Sequence, residues 1–431
     1  KEGKYLRKMK LPDIKGDIPV NLKIPNHCSV LVISKSQRSM THALHKYPAK
    51  YIPEYPRWAI KKYTGNKNNI VLDPFCGSGT SNVEAKLAGH NSLAIDVDPL
   101  ARFITKNKTT NQNKTKLLST KEQLYDQLSS IKSSKELPEN FDMVKLWFRP
   151  NVAKELYGLK RQITQIQDSK IRDFFLLCFS SSIRKVSNAD PKLVLPKISK
   201  YMRIAEENGR EINVIETFKK ITDFSTERIL EFSNATSAQT KVKIIGNDSR
   251  KMKIDDETVT LAVTSPPYLN AHDYVRSHKL ELFWLGLAQY REQLISLDRK
   301  YIGTEKFYKD EYSVLQSTGI KELDSKISKI GKIDTKRAYV TAKFFIDMET
   351  HFEEVHRVLE KNGHYVMFVG SNVIRKIMVP TYQYLISLAE QSGLKTELYF
   401  SSPLIKRMEI QSGRKESGGF IEEDWILVFR K

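Results

Sequence analysis

Two short motifs combine residue types that could do chemistry. The first, Asp73-Pro-Phe-Cys-Gly-Ser-Gly-Thr80, has two glycines separated by one residue directly before a predicted helix. Glycine lets the backbone approach a ligand closely, and the N–H groups of a helix N-terminus favour polar or anionic groups. Asp96 ends the next predicted strand, where a carboxylate can accept hydrogen bonds from both hydroxyls of a ribose. The pattern predicts a ligand site, although Asp96 could also be a simple strand-end cap.

A dinucleotide site is the main alternative for such a loop. Its fingerprint requires a third glycine three residues after the second. Asn82 occupies that position here, so the fingerprint is incomplete. A dinucleotide-dependent oxidoreductase is therefore the least favoured reading of this motif.

The second motif is Thr264-Ser-Pro-Pro-Tyr268. Two successive prolines fix the backbone and remove two donors, so the carbonyl before a proline is held rigidly and can point at a ligand amine. Ser265 adds a hydroxyl oxygen, and Tyr268 adds a flat ring on which a base could stack. Taken alone, the motif is equally typical of an ordinary proline turn with a surface tyrosine.

The segments around both motifs predict a mostly parallel α/β sheet. The closing strands have no helix between them, which predicts an antiparallel edge. Helix 347–361 is expected to end at Gly363. The predicted strands are 69–73, 92–95, 242–245, 258–264, 364–369, 396–400 and 425–429, and the predicted helices near them are 82–87, 347–361 and 381–391.

The middle of the chain does not alternate strands and helices. Residues 108–240 are expected to form a mostly helical insert, for example at 152–167 and 171–186. The chain then divides into 1–107, the insert 108–240, and 241–431. The last part contains a Lys-rich, basic stretch at 290–336. Surface elaboration without function remains an alternative for both added segments.

Together, the two motifs resemble those of the amino-methyltransferase family of DNA methyltransferases. In that family the first motif is the S-adenosylmethionine loop and the second is the catalytic tetrapeptide. His45-Lys-Tyr-Pro-Ala-Lys50 is similar to the segment over the methionine part of the cofactor, and Asp248 to the acidic position beside its adenine. The turn 357–363 also looks like a late helix-to-strand turn of such enzymes. The resemblance covers about residues 42–107 and 241–430.

The resemblance implies a Rossmann-like class I methyltransferase sheet with a largely helical insert, S-adenosylmethionine as cofactor and no metal. The implied catalytic residues are Ser265, Pro266, Pro267 and Tyr268. The implied cofactor-binding residues are Tyr47, Pro48, Ala49, Lys50, Asp73, Pro74, Phe75, Gly77, Ser78, Gly79, Thr80, Asp96 and Asp248.

The implied reaction methylates an exocyclic amine of a flipped base in double-stranded DNA. Methylation at carbon 5 would need a thiolate, typically in Pro-Cys, and no Pro-Cys occurs here. Ser265 heads the tetrapeptide where adenine enzymes more often have Asp or Asn. The family pattern therefore favours cytosine N4 over adenine N6, in a restriction-modification or epigenetic system. A cognate restriction endonuclease is a natural partner.

The order of the motifs indicates a circularly permuted arrangement, because the cofactor loop precedes the tetrapeptide and the insert separates them. Target reading is expected in 108–240, with 290–336 as the alternative. An RNA methyltransferase would more often carry a recognisable RNA-binding module, and none is evident. A non-catalytic DNA-binding protein would have little reason to keep both motifs.

Composition agrees with a nucleic-acid partner. The formal net charge is +21 and the pI is about 9.5, which favours a polyanion. The apolar run 174–179 is too short to span a bilayer. Cys28, Cys76 and Cys178 are isolated, which fits neither a disulfide framework nor a zinc site. The expected location is the cytoplasm of a prokaryote.

Overall fold

The computed structural model describes residues 9–48, 50–65, 69–128, 136–269, 273–404 and 423–431. The strands in these residues are β1 (Ile14–Lys15), β2 (Val32–Ile33), β3 (Ile70–Asp73), β4 (Asn91–Ile95), β5 (Val242–Gly246), β6 (Val259–Thr264), β7 (Leu359–Gly370), β8 (Asn372–Ile374), β9 (Ile377–Val379), β10 (Lys395–Pro403) and β11 (Glu423–Arg430). The helices are α1 (Glu54–Tyr63), α2 (Thr80–Leu87), α3 (Pro99–Lys108), α4 (Lys114–Gln127), α5 (Pro150–Thr164), α6 (Ser169–Val186), α7 (Lys200–Glu207), α8 (Val214–Ala235), α9 (Tyr274–Leu285), α10 (Arg291–Asp298), α11 (Lys321–Gly331), α12 (Thr335–Val358) and α13 (Thr381–Gln391).

The central sheet has the strand order β10-β11-β7-β6-β3-β4-β5. The five strands from β5 to β7 run parallel, whereas β11 is antiparallel to both β7 and β10. The prediction of a Rossmann-like, mostly parallel sheet with an antiparallel edge is therefore confirmed.

Helices cover both faces of the sheet, which explains why its central strands are apolar throughout. Along β3, successive side chains point to opposite faces. Val71 belongs to the buried cluster that contains Trp58 of α1, whereas Leu72 belongs to the cluster that contains Phe345 and Phe352 of α12. These layers hold the strand ends in fixed positions.

The helical insert shares its core with the rest of the chain. Phe174 and Phe179 of α6 belong to the same buried cluster as Ile104 of α3 and Trp284 of α9. Because α3 follows β4 and α9 follows β6, the insert is anchored to segments that leave the sheet at its functional end. The predicted largely helical insert is confirmed. None of the helices in the described ranges is both long and apolar enough to cross a membrane.

Both boundaries predicted for the helix 347–361 are wrong, because α12 already begins at Thr335. We expected a helix over 347–361 that ends at Gly363, but α12 ends at Val358 and β7 begins at Leu359. Gly363 lies inside β7, where an added Cβ would come within 2.9 Å of the Glu360 carbonyl oxygen. Its backbone carbonyl accepts from the N–H of Lys431 at 3.0 Å. The glycine is therefore required by close backbone packing and not by a helix cap.

Candidate active site

The polar residues of both motifs lie at the carboxyl ends of adjacent parallel strands. Asp73 ends β3, Asp96 follows β4, Asp248 follows β5 and Ser265 follows β6. Ligands of open α/β sheets bind at this edge. A cavity opens here, as expected for a ligand site at this edge. The predicted residues that line it are Tyr47, Pro48, Lys50, Pro74, Phe75, Gly77, Ser78, Thr80, Asp96, Asp248, Ser265 and Pro267.

The glycine loop turns tightly between β3 and α2. Gly77 and Gly79 have φ angles of +48° and +77°, which side-chain-bearing residues rarely adopt. A Cβ at Gly79 would lie 2.8 Å from Thr105 Oγ1, and one at Gly77 would lie 3.2 Å from Tyr47 Cε1. Thr105 also donates to the Gly77 carbonyl at 3.1 Å. Gly79 therefore packs against α3 behind the cavity, whereas Gly77 faces the ligand space.

Asp96 is held by backbone donors. Its Oδ2 accepts from the N–H of Gly77 and its Oδ1 from the N–H of Asp98, each at 2.8 Å. Burial, together with the neighbouring charge of Asp98, raises the pKa of Asp96 to about 7. Although burial opposes it, the hydrogen bond and charge of His278, at 3.0 Å, hold the pKa of Asp98 below its ordinary value. Each oxygen of Asp96 keeps a lone pair for a ligand hydroxyl.

Asp73 does not line the cavity, but its carboxylate links the first motif to Thr264 of the second. Its Oδ1 accepts from Thr264 Oγ1 at 2.5 Å and from the N–H of Phe75 at 3.2 Å. Burial raises the pKa of Asp73 to about 6, although the Thr264 hydrogen bond acts in the opposite direction. Hydrogen bonding from the hydroxyls of Ser81 and Tyr51 also lowers the pKa of Asp73, and these two hydroxyls bond to each other.

The segment before α1 covers one side of the cavity. The Tyr47 ring packs on His278, with 4.7 Å between ring centroids. Lys50 Nζ donates to the carbonyl of His42 at 2.8 Å, and burial lowers the pKa of Lys50 to about 8. Ala49, which we also predicted here, lies outside the described residues.

Asp248 lines the cavity, but an ion pair engages its carboxylate. Arg250 Nε donates to Oδ1 at 2.9 Å and its Nη2 to Oδ2 at 3.0 Å. Although burial opposes them, these contacts hold the pKa of Asp248 below its ordinary value. Arg250 also contacts Asp347 at 3.1 Å. A ligand amine at Asp248 would therefore share a carboxylate that already binds a guanidinium group.

The tetrapeptide lies between two cavities. Ser265 and Pro267 line the first, and Pro267 and Tyr268 line a second of about 620 Å³. Pro266 is buried. The Tyr268 hydroxyl donates to Asp424 Oδ1 of β11 at 2.9 Å, which fixes the ring from the antiparallel edge. A group held in the first cavity and a base in the second would meet at this turn.

Part of the site came from residues that the sequence analysis did not select. Tyr274, Tyr301 and Ile302 line both cavities, and Lys300 lines the first. The rings of Tyr274 and Tyr301 stack at 5.7 Å with 9° between their planes. Tyr274 follows the tetrapeptide closely and could have been found by proximity. Tyr301 lies in the 290–336 stretch, which carries no motif, so no sequence signal identified it.

Comparison with known proteins identifies similar chains. The family described as "DNA methylase" matches residues 25–107. Type II methyltransferase M.MvaI of Kocuria varians is 28% identical over 377 residues, covering 81% of this chain and 81% of its own. Type II methyltransferase M.BsoBI of Geobacillus stearothermophilus is 26% identical over 280 residues, covering 59% and 55%. A SAM-dependent methyltransferase structure from Methanosarcina mazei covers 90% of this chain and 98% of its own, at 9% identity and a TM-score of 0.31.

Proposed function

Because the chain belongs to the DNA amino-methyltransferase family and uses S-adenosylmethionine, we propose that it methylates cytosine N4 of a flipped base at a specific site in double-stranded DNA. The observation that carries the proposal is the position of the tetrapeptide. Ser265 and Pro267 line the cavity that the glycine loop forms, and Pro267 and Tyr268 line a second cavity beside it.

The residues of the first cavity fit the cofactor. Gly77 has no side chain, which leaves room for a ligand beside its backbone. A Cβ at this position would fill that room and lie 3.2 Å from the Tyr47 ring. Asp96 offers two backbone-oriented oxygens that suit a ribose diol. S-adenosylmethionine, when bound, supplies an electrophilic methyl group on its sulfonium.

The tetrapeptide supplies the acceptors that the reaction needs. An exocyclic amine is a poor nucleophile because its lone pair is conjugated with the ring. Hydrogen bonds from the amine to Ser265 Oγ, and to the carbonyl of Ser265 or Pro266, localise that lone pair on nitrogen. The prolines hold these acceptors in place, so positioning and electrostatics supply most of the rate without a covalent intermediate.

The target atom is assigned from Ser265. A serine hydroxyl is a weaker acceptor than an aspartate carboxylate, and in this family serine at this position goes with cytosine. Adenine N6 is the alternative, because both amines need the same two acceptors. Tyr268 is the stacking partner for the flipped base, with its ring fixed through Asp424.

The biological setting follows from the relatives. Both M.MvaI and M.BsoBI carry the description Type II methyltransferase. We infer that this chain also acts in a restriction-modification system, opposite an endonuclease of the same specificity. Target reading is assigned to the insert 108–240, with 290–336 as the alternative.

Nucleoside mass spectrometry of DNA from cells that express the chain tests the proposal. N4-methylcytosine is expected with the wild type and absent with Ser265→Ala, and modification-sensitive sequencing then gives the site. A rise in N6-methyladenine without N4-methylcytosine would overturn the choice of atom. Methyl transfer from labelled cofactor to RNA and not to DNA would overturn the choice of substrate. Unchanged modification in Ser265→Ala would remove the role assigned to that hydroxyl.

A further inference from the structure

A segment without any recognised motif contributes much of the second cavity's lining. Asp298, at the end of α10, and residues 301–306 line the same cavity as Pro267 and Tyr268 of the tetrapeptide. The proposed function requires the flipped base to enter here. The edge of that base that is not being methylated must therefore meet these side chains.

The loop after α10 is fixed in place. Arg299 donates to the carbonyl of Lys306 at 2.7 Å and to both carboxylate oxygens of Glu311, at 3.0 and 2.7 Å. The Tyr301 ring stacks on Tyr274. The side chains that this loop presents to the cavity therefore start from defined backbone positions.

Lys306 is the one lysine or arginine among the described residues that line this cavity. Its Nζ lies 3.8 Å from Asp298 Oδ2, and Thr304 Oγ1 donates to Asp298 Oδ1 at 3.3 Å. Asp298 has a side chain that is only 15% exposed, against 47% for Lys306. Burial, together with the charge of Asp273, raises the pKa of Asp298 to about 6, although Lys306 acts in the opposite direction. The partly buried acid therefore lies within ion-pair distance of a donor-only ammonium group at the cavity.

The two candidate bases differ at the edge next to the amine. Cytosine presents two adjacent acceptors there, N3 and O2. Adenine presents one acceptor, N1, followed by a C–H group. A lysine ammonium has three donors and no acceptor, so it matches the cytosine edge better. The carboxylates in this cavity lack a donor when ionised and cannot make that contact.

We propose that Lys306 is a specificity-determining residue that donates to N3 and O2 of the flipped cytosine, and that Asp298 is the positioning residue for its ammonium group. This inference rests on the proposed function. It assigns part of the recognition of the flipped base to the 290–336 stretch. Reading of the flanking DNA sequence is a separate task, which is proposed for the insert 108–240.

Equilibrium binding to two duplexes tests the assignment. Both carry the recognition site found by sequencing, one with the target cytosine and one with an abasic nucleotide in its place, and both are measured with S-adenosylhomocysteine present. Lys306→Met is expected to weaken binding of the cytosine duplex by about tenfold relative to wild type and binding of the abasic duplex by less than about twofold. Lys309→Met is the matched control, because Lys309 is exposed and lines neither cavity; it should change both affinities by the same factor.

If Asp298 acts by positioning Lys306, the losses of affinity caused by substituting the two residues should not be additive. Asp298→Asn should weaken the cytosine duplex selectively, and adding it to Lys306→Met should cause little further loss. Full additivity of the two losses would overturn the positioning role. Unchanged affinity for S-adenosylhomocysteine in each variant confirms that the fold is intact.

The outcomes separate this inference from the function on which it rests. Equal weakening of both duplexes by Lys306→Met would identify a phosphate contact and overturn the base-edge assignment, while N4-methylcytosine from the wild type would leave the proposed function standing. If Lys306→Met weakened binding of neither duplex, the base-edge assignment would also be overturned. N6-methyladenine from the wild type would overturn the proposed atom and, with it, the cytosine edge.

Discussion

Asp96 should make cofactor binding depend on pH. Its carboxylate is fixed by the N–H groups of Gly77 and Asp98, and its pKa is raised to about 7. If the ionised form accepts the two ribose hydroxyls, the protonated form loses acceptor capacity and binds more weakly. S-adenosylmethionine affinity should therefore fall as the pH falls through about 7 and reach a plateau above it.

The size of the effect follows from the ionised fraction. With a pKa of about 7, roughly nine tenths of Asp96 is ionised at pH 8 and roughly one tenth at pH 6. The affinity should therefore fall by about tenfold over this range, close to 1.4 kcal/mol. Asn has a similar size to Asp and cannot titrate. The affinity of Asp96→Asn should therefore be weaker, but it should not show this tenfold fall between pH 8 and pH 6.

Titration calorimetry at pH 6, 7 and 8, in buffers that differ in ionisation enthalpy, measures both the affinity and the protons exchanged. The cofactor's own amino group titrates near pH 8 but does so equally with both proteins, so the difference between wild type and Asp96→Asn isolates the carboxyl group. The same pH dependence in both proteins would refute the reasoning, as would wild-type affinity that is constant from pH 6 to pH 8.

Three further outcomes are expected. Gly77→Ala should weaken cofactor binding because its Cβ would meet the Tyr47 ring. Gly209→Ala is the control, because Gly209 has a similar positive φ of +73° with open space around it, so this change should cost only backbone strain. Equal cofactor affinity of the two variants by calorimetry would argue against crowding at Gly77. Tyr268→Ala should keep cofactor binding and lose about 1–3 kcal/mol of affinity for the flipped base. Tyr268→Phe should lose less, because the ring remains after the hydrogen bond to Asp424 is removed. A 2-aminopurine target whose fluorescence is the same in both variants would count against stacking. DNA affinity should fall steeply between 50 and 200 mM salt as phosphate counterions are released, and a flat response in a filter-binding titration would mean that the net charge of +21 does not act on DNA.

The sequence predicted the centre of the sheet well because local pattern and tertiary context agree there. The strands at 70–73 and 259–264 are buried on both faces, so continuous apolar runs identify them. The wrong helix end at Gly363 has the opposite origin. A glycine after a periodic apolar pattern is typical of a helix stop, but here the backbone of Lys431 pairs with this residue. That contact comes from the far end of the chain and leaves no local signal.

The same limit explains what was missed in the site. Motif residues carry recognisable types at fixed spacing, and most of those predicted for the cofactor line one cavity. Tyr301 and Lys306 reach the site through a loop of the Lys-rich stretch 290–336, in which no motif marks individual residues. The sequence showed Asp248 as an isolated acid, whereas the structure pairs it with Arg250 two residues later. Partners of this kind depend on side-chain direction, which residue spacing alone does not fix.

The long separation of the two motifs is compatible with a rigid site because the insert does not lie between their strands in space. The β3 and β6 strands are hydrogen-bonded neighbours, with Val71 paired to Leu261. The Asp73–Thr264 hydrogen bond closes the junction at their ends. The free-energy cost of closing a long connection rises only slowly with its length, so an insert here need not weaken that junction. Its shared core with α3 and α9 then ties the insert to segments that leave the sheet beside the tetrapeptide. The target-reading role proposed for the insert requires it to hold DNA at a fixed distance from Ser265, and this anchoring meets that requirement.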